Sequence, residues 1–269
     1  MVVKRTFAHK IMLKILKVLL IIIFSLEMAN AQSGKIRTIV IDAGHGGKDP
    51  GTHHSKLQEK DIALNVTLKL GKKLQQNLPG VKVIYTRKTD VFIPLHERAA
   101  IANRNKADLF ICIHVNANPH SSKLSGSETY VMGLHKTEDN LELAMRENEV
   151  ILMEDNYKKN YKGYDLSSPM ANIMLANYQN AFMKESVKLA SMVEKQISKV
   201  GHRSRGVKQA GFQLLWQTTM PSIYVETGYL TNATDKKILG SSDGQDKIAE
   251  AIFKAVKAYK EEKEKTPNP

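Results

Sequence analysis

Ile39-Val40-Ile41-Asp42-Ala43-Gly44-His45-Gly46-Gly47 is the stretch that decides the fold. An apolar run of strand length ends on a histidine and then breaks into glycines. A strand buried on both faces reads this way where it delivers a side chain into the crevice at its C-terminal end. The construction recurs twice. Phe110-Ile111-Cys112-Ile113-His114-Val115-Asn116 ends on a second histidine, and Ile223-Tyr224-Val225-Glu226-Thr227-Gly228 ends on a glutamate.

Strand patterns cover residues 38–43, 81–86, 109–115, 128–132, 211–215 and 222–226, and helical spacing separates them. Ile62, Val66, Leu70 and Leu74 recur every four residues after Asp61, which is placed to cap a helix that Pro79-Gly80 closes. Pro94 opens a helix through Asn105; Val187, Ala190, Val193 and Ile197 form a stripe ended near Gly201; Ile248, Ile252, Ala255 and Tyr259 form the last. The expected fold is α/β: a single domain with a mostly parallel or mixed twisted sheet flanked by helices, plus a helical insertion.

Domain boundaries follow from composition. Lys4, Arg5, Lys10, Lys14 and Lys17 precede the apolar run Val18-Leu19-Leu20-Ile21-Ile22-Ile23-Phe24, and Ala29-Asn30-Ala31 supplies a small-x-small cleavage pattern. Residues 1–31 are expected to be a signal peptide, which directs the protein to the periplasm or cell wall. The run is short for a bilayer span, so stable membrane insertion after cleavage is not expected; a retained anchor is the competing reading. The catalytic domain is expected over residues 35–260 and a flexible tail over 261–269. Residues 134–180 break the strand-helix alternation and form a polar, tyrosine-rich insertion, long enough to suggest a function of its own.

The formal charge of the 269-residue chain is +13, and its single cysteine excludes an intrachain disulfide. Cys112 alternates with apolar neighbours and reads as a small buried hydrophobe. A basic exported protein is drawn to anionic wall polymer or headgroups, whereas nucleic acid is not an expected partner: export separates the two, and no aromatic-basic binding motif is present. Gly44-His45-Gly46-Gly47 is too short for a phosphate-binding loop, and no serine sits in a nucleophile elbow.

The chemistry is carried by four side chains. His45 and His114, each at a strand end, with Glu59 at a helix start, form a two-histidine, one-carboxylate set suited to a catalytic Zn2+ with a position open to water. Taken alone, Glu59 also reads as a carboxylate stabilised by the helix dipole. Glu226 interrupts an apolar strand, so it either pairs with a buried base, for which Arg98 is a partner, or works in the crevice by moving protons between water and a departing amine. His53 and His54 lie in the intervening loop and receive no role; His96, His120, His135 and His202 read as surface.

These stretches resemble the zinc-dependent N-acetylmuramoyl-L-alanine amidases of the type 3 amidase family. The resemblance runs from about Arg37 to Phe253. It includes Asp42-Ala43-Gly44-His45-Gly46-Gly47-Lys48-Asp49-Pro50-Gly51, Glu59-Lys60-Asp61, Thr86-Arg87, Leu95-His96-Glu97-Arg98, Ile113-His114-Val115-Asn116-Ala117, Gly126-Ser127-Glu128-Thr129-Tyr130 and Pro221-Ser222-Ile223-Tyr224-Val225-Glu226-Thr227-Gly228. Thr52 stands where the family usually has alanine. The resemblance implies one zinc ion held by His45, Glu59 and His114, with Glu226 as acid-base. It also implies cleavage of the peptidoglycan amide between N-acetylmuramic acid and L-alanine, in cell-wall remodelling or daughter-cell separation. In some relatives the matching insertion blocks the site until an activator protein displaces it, which makes 134–180 a regulatory lid whose Glu147 or Glu149 would fill the open zinc position. A zinc peptidase and a non-enzymatic wall-binding protein are the competing accounts.

Overall fold

A computed structural model describes residues 35–134, 137–161 and 182–265. The expected signal peptide, His135 and much of the insertion lie outside the described residues. Chain contacts divide the molecule into two units, residues 37–259 and residues 1–36 with 260–269. In the smaller unit, the Ile36 N–H donates to Glu264 Oε1 at 3.2 Å.

The chain order is β1 (Thr38–Ala43), a two-residue hairpin β2 (His53–His54) and β3 (Leu57–Gln58), α1 (Glu59–Asn77), β4 (Lys82–Tyr85), α2 (Leu95–Arg104), β5 (Leu109–Asn116) and β6 (Ser127–Met132). It continues through α3 (Glu138–Asn148), a 3-10 turn (Glu149–Met153), α4 (Tyr157–Asn160), α5 (Lys184–Lys199), β7 (Ser204–Ala210), α6 (Gln213–Trp216), β8 (Ser222–Tyr229), α7 (Ala233–Leu239) and α8 (Ser242–Lys265). The last helix thus enters the stretch read as a tail. Among the described residues no helix is long and apolar enough to cross a membrane.

Six strands form one sheet in the order β4-β1-β5-β8-β6-β7. β4, β1, β5 and β8 run parallel, and β6 pairs antiparallel to β8 while parallel to β7. The sheet is therefore mixed, as expected. Alternate residues of β1, β5, β6 and β8 (Val40, Phe110, Cys112, Tyr130, Tyr224) pack with Ala99 and Ala102 of α2, Leu143 of α3 and Phe212. The intervening residues, Ile39, Ile41, Ile111, Ile113, Ile223 and Val225, point to the opposite face and are wholly buried too. Each such side chain contributes about 1.5–3 kcal/mol by leaving water, which is what holds three strand ends in fixed register.

Two expectations are corrected. Residues 211–215 are not a strand: Gln213–Trp216 is a short helix, and the sixth strand is Ser204–Ala210 instead. Gly-Phe-Gln-Leu-Leu is too short to have a period that separates strand from buried helix, while Ser-Arg-Gly-Val-Lys-Gln-Ala is polar because it is a half-buried edge. Asp61 also does not cap α1; Gln58 occupies the cap position without a side-chain bond, and Glu59 and Asp61 lie in the first turn.

Candidate metal centre

The parallel strands β1, β5 and β8 bring their C-terminal ends together, and the site is built there. His114 lies within β5, Glu226 is its register partner in β8, and His45 follows β1 in a tight turn. Gly44 makes this possible: a Cβ at that position would run into the His114 ring. His45 itself adopts φ +58°, a left-handed conformation that a non-glycine residue holds only under constraint. The constraint is visible. Arg98 donates to Ala43 O at 2.6 Å and His45 O at 2.7 Å, and Arg87 donates to Ala43 O at 3.0 Å and Gly44 O at 2.7 Å.

Glu59 reaches the same point from the start of α1. Its Oε1 accepts the Val115 N–H at 2.8 Å and lies 2.9 Å from His114 Nδ1. Its Oε2 accepts the Thr52 N–H at 2.8 Å and lies 3.1 Å from His45 Nε2. The carboxylate is 1% exposed, so it is no solvated helix-dipole residue. Asp49 Oδ2 holds His45 Nδ1 at 2.8 Å, which turns Nε2 toward the cluster.

A fourth side chain arrives from the insertion. Glu147 Oε2 lies 3.2 Å from His114 Nδ1 and 3.4 Å from His45 Nε2, and accepts the Tyr224 hydroxyl at 2.8 Å. Glu149 stays exposed and takes no part. Ligand atoms of His45, Glu59, His114 and Glu147 all lie within 4.8 Å of one another, and all four residues are buried. Donors near 2.0–2.2 Å from one small cation stand about 3.2–3.6 Å apart, and mixed nitrogen and carboxylate oxygen donors suit a divalent transition metal. Buried His45 Nε2 has no hydrogen-bond partner, as a ligating nitrogen requires. The residues present fit a metal ion.

A second acidic group, Asp42 with Cys112 and His114, is also close-set. Asp42 is already committed: Thr86 donates at 2.5 Å, Arg98 at 3.0 Å and the Cys112 thiol at 2.9 Å. Burial and the Asp42 charge push the thiol well above its ordinary pKa, so it stays neutral and is a poor ligand.

Glu226 is wholly buried, and neither carboxylate oxygen has a hydrogen-bond partner. Arg98, the base considered for it, is paired with Asp42 instead. Burial, then the charges of Glu59 and Glu147, hold the Glu226 carboxyl well above the usual carboxylate range. A group kept ready to hold a proton beside a metal site has the properties of a general acid-base.

His53 and His54 form the small hairpin outside the cluster. His120 is exposed. Two histidines read as surface are not: His202 is 5% exposed with its Nε2 donating to Thr227 O at 2.9 Å, and half-buried His96 meets Glu154 at 2.9 Å. The roles of Asp49 and Tyr224 were missed, although both carry a signal. Asp49 is four residues after His45, and Tyr224 lies two before Glu226 on the same strand face, where its ring stacks on His114 at 4.2 Å.

Residues 39–258 match the family described as N-acetylmuramoyl-L-alanine amidase. The chain is 32% identical over 235 residues to the N-acetylmuramoyl-L-alanine amidase AmiC of Escherichia coli O6:H1, covering 85% of this chain and 54% of that protein. Among solved structures it is similar to an N-acetylmuramoyl-L-alanine amidase from Clostridium difficile 630, with TM-score 0.62, 28% identity, and coverage of 84% and 97%. It is also similar to the CwlD amidase from Clostridioides difficile in complex with the GerS lipoprotein, with TM-score 0.60, 25% identity, and coverage of 83% and 98%.

Proposed function

The chain belongs to the N-acetylmuramoyl-L-alanine amidase family, and from that premise we propose that it hydrolyses the amide between N-acetylmuramic acid and L-alanine in peptidoglycan, using one zinc ion held by His45, Glu59 and His114. The observation that carries the reading is the convergence of these buried donors beside a buried carboxyl with no hydrogen-bond partner. When bound, zinc supplies a Lewis acid and a water that is nucleophilic at neutral pH. Glu226 takes up a proton from the attacking water and passes it to the departing amide nitrogen; wholly buried and with neither oxygen hydrogen-bonded, its carboxylate is free to do both. Asp49 fixes the His45 ring, and Tyr224 supports His114 from one face.

Glu147 supplies the regulatory part of the proposal. Its carboxylate lies among the other three donors and would compete with water for a metal ion held there, so this arrangement is a latent one. The insertion is tied down by polar bonds: Asn148 Nδ2 to Gly211 O at 2.9 Å, Lys48 Nζ to Met153 O at 2.5 Å, and buried Glu154 to the Leu95 N–H at 2.7 Å. Contacts of this kind are reversible, and an activator protein that captured the insertion would withdraw Glu147. Residues 1–31 export the enzyme to the wall, where it acts in remodelling or daughter-cell separation.

The test is to incubate the protein with purified peptidoglycan, with and without chelator, and to identify products by mass. Stem peptides with an unblocked L-alanine amine, formed only when zinc is present, are expected. Cuts within the peptide, or the same products in chelator, would overturn the proposal.

A further inference from the structure

Glu226 belongs to a row of side chains that crosses the sheet. Register sets His114 of β5 beside it on one side and Glu128 of β6 directly opposite it on the other. Residues facing each other in a ladder share a face, with Cβ atoms about 4.5–5.5 Å apart. Glu128 is 1% exposed and strongly compensated. Lys208 Nζ lies 2.6 Å from its Oε1, the Arg205 guanidinium bonds the same oxygen, and the Tyr130 hydroxyl donates to Oε2 at 2.6 Å.

The edge strand is bent to bring this about. Ser127 pairs with Ser204 and Thr129 with Val207, so β7 carries one residue more than β6, and Arg205 and Gly206 together oppose Glu128. Gly206 takes φ +85°, which the bulge requires. A bulge at this place re-aims one side chain, and the one it aims is Arg205. On the sheet itself two cations meet one carboxylate, an excess of one positive charge that stands once α3 of the insertion, with Asp139, Glu142 and Arg146, is withdrawn. The side chains of Arg205 and Lys208 remain 20% and 25% exposed, and with Asn116, Asn118 and Tyr229 they line a cavity of about 30 Å³ whose other wall is formed by those three residues of α3. None of these residues takes part in the chemistry described above.

We infer that Arg205 and Lys208, oriented by Glu128, form a subsite for a carboxylate of the stem peptide on the leaving-group side of the scissile amide. The inference rests on the amidase reading. Its direction follows from proton transfer. Glu226 protonates the departing nitrogen, so the peptide that departs lies on the side of Glu226 away from His114, which is the side of Glu128. One residue of extended chain spans about 3.3–3.6 Å, so the acidic residue after the alanine comes level with the two cations. Guanidinium is the group best shaped for a carboxylate, and Glu128 holds it in place before substrate arrives.

The test compares two substrates: an N-acetylmuramoyl-L-alanyl peptide whose second residue bears a free α-carboxylate, and the same compound with that group converted to the amide. Both are assayed with the zinc-loaded full chain, in the parent and in the Glu147→Ala background that opens the site. The parent is expected to favour the acid about ten-fold in kcat/KM, the size expected of a charge-assisted hydrogen bond. Arg205→Gln and Lys208→Gln, each of which leaves Glu128 one cation, are each expected to reduce that preference, and the triple variant Glu128→Gln, Arg205→Gln, Lys208→Gln, which leaves no buried charge unpaired, to abolish it. No preference in the parent, or an unchanged preference in the variants, would overturn the inference. If neither compound is cleaved, the amidase reading fails separately. Equilibrium binding of the free acid and amide peptides, measured by calorimetry on the same proteins, then decides the subsite: discrimination lost in the variants upholds it, and equal binding of both peptides removes it.

Discussion

The Tyr224 hydroxyl donates to Glu147 Oε2 across 2.8 Å while its ring stacks on His114 at 4.2 Å. One buried tyrosine thus joins the insertion to the candidate metal centre, and it favours the state in which Glu147 lies among the clustered donors. Glu147→Ala removes the competing carboxylate and is expected to raise hydrolysis of purified peptidoglycan about ten-fold, with zinc content unchanged. Tyr224→Phe removes only the hydrogen bond to Glu147 and leaves its histidine contacts, so it should move the same way by less than Glu147→Ala does. Equal rates from folded, zinc-loaded proteins would show that Glu147 does not hold the enzyme in check.

Glu226→Gln keeps the shape of the side chain and removes its capacity to move a proton. A loss of roughly 10²–10⁴-fold in kcat is expected, the usual worth of a general acid-base. Zinc should remain stoichiometric by metal analysis, because Glu226 is not one of the clustered donors. A variant that loses metal together with activity would place Glu226 among the ligands instead.

Asp49→Asn tests the support behind the ligands. The carboxylate holds His45 Nδ1 at 2.8 Å and so decides which nitrogen faces the cluster. Loss of such a partner typically weakens metal affinity about 10–100-fold. Competition with a chromophoric chelator measures this without any turnover. Unaltered affinity would mean that the Arg98 and Arg87 bonds to the turn are enough to aim the ring.

Much of the site was legible because three of its residues follow apolar runs: His45 comes just after β1, His114 and Glu226 are polar positions within β5 and β8, and burial of their neighbours brings them to the same crevice. Glu59 was legible only by spacing and family pattern, since a carboxylate in the first turn of a helix looks the same whether it faces solvent or a metal. The partner of Arg98 was not legible. Asp42 and Glu226 are both carboxylates on buried strands, and only the fold shows that Asp42 lies 3.0 Å from the guanidinium. β7 was hidden for a different reason. An edge strand that presents Arg205 and Lys208 to a cavity has no apolar alternation to announce it, whereas the nearby Phe212, Leu214 and Leu215 are buried and apolar at the cap and within a short helix.

The pH response of the metal-free protein follows from two opposed shifts. Burial would lower the His45 pKa, but the Glu59 charge, the bond to Asp49 and the nearby Glu147 carboxylate hold it well above its ordinary 6.5. Burial would raise Glu59, but the His45 charge brings it down from 4.5 to about 2. A raised imidazole adds stability that is complete below 6.5 and is lost as pH rises through the higher folded value. A depressed carboxylate adds stability that is complete above 4.5 and is lost as pH falls toward about 2. This pair therefore stabilises the metal-free protein fully between 4.5 and 6.5. Zinc must displace the His45 proton, so the rise in Tm on adding zinc should grow as pH increases. A zinc-induced gain that stays constant from about pH 5 to about pH 8 would contradict the assignment of His45 as a ligand.

Arg98 carries the last prediction, because it serves the fold and the site through one group. It is 1% exposed, and its donors go to Ile93 O at 2.7 Å, Asp42 Oδ1 at 3.0 Å, Ala43 O at 2.6 Å and His45 O at 2.7 Å. Arg98→Met would leave the Asp42 charge buried without its cation, a change that costs roughly 3–5 kcal/mol in comparable buried pairs. Arg98→Lys keeps the charge but cannot reach several carbonyls at once from a single ammonium. Denaturant unfolding in chelator should therefore rank parent, Arg98→Lys and Arg98→Met in falling order. Zinc affinity separates the two roles: Arg98→Lys, with Asp42 still compensated, should bind zinc more weakly than the parent because the left-handed turn at His45 has lost its carbonyl clamp. If Arg98→Lys is destabilised and yet binds zinc as the parent does, the arginine serves only the core, and the turn keeps its shape without it.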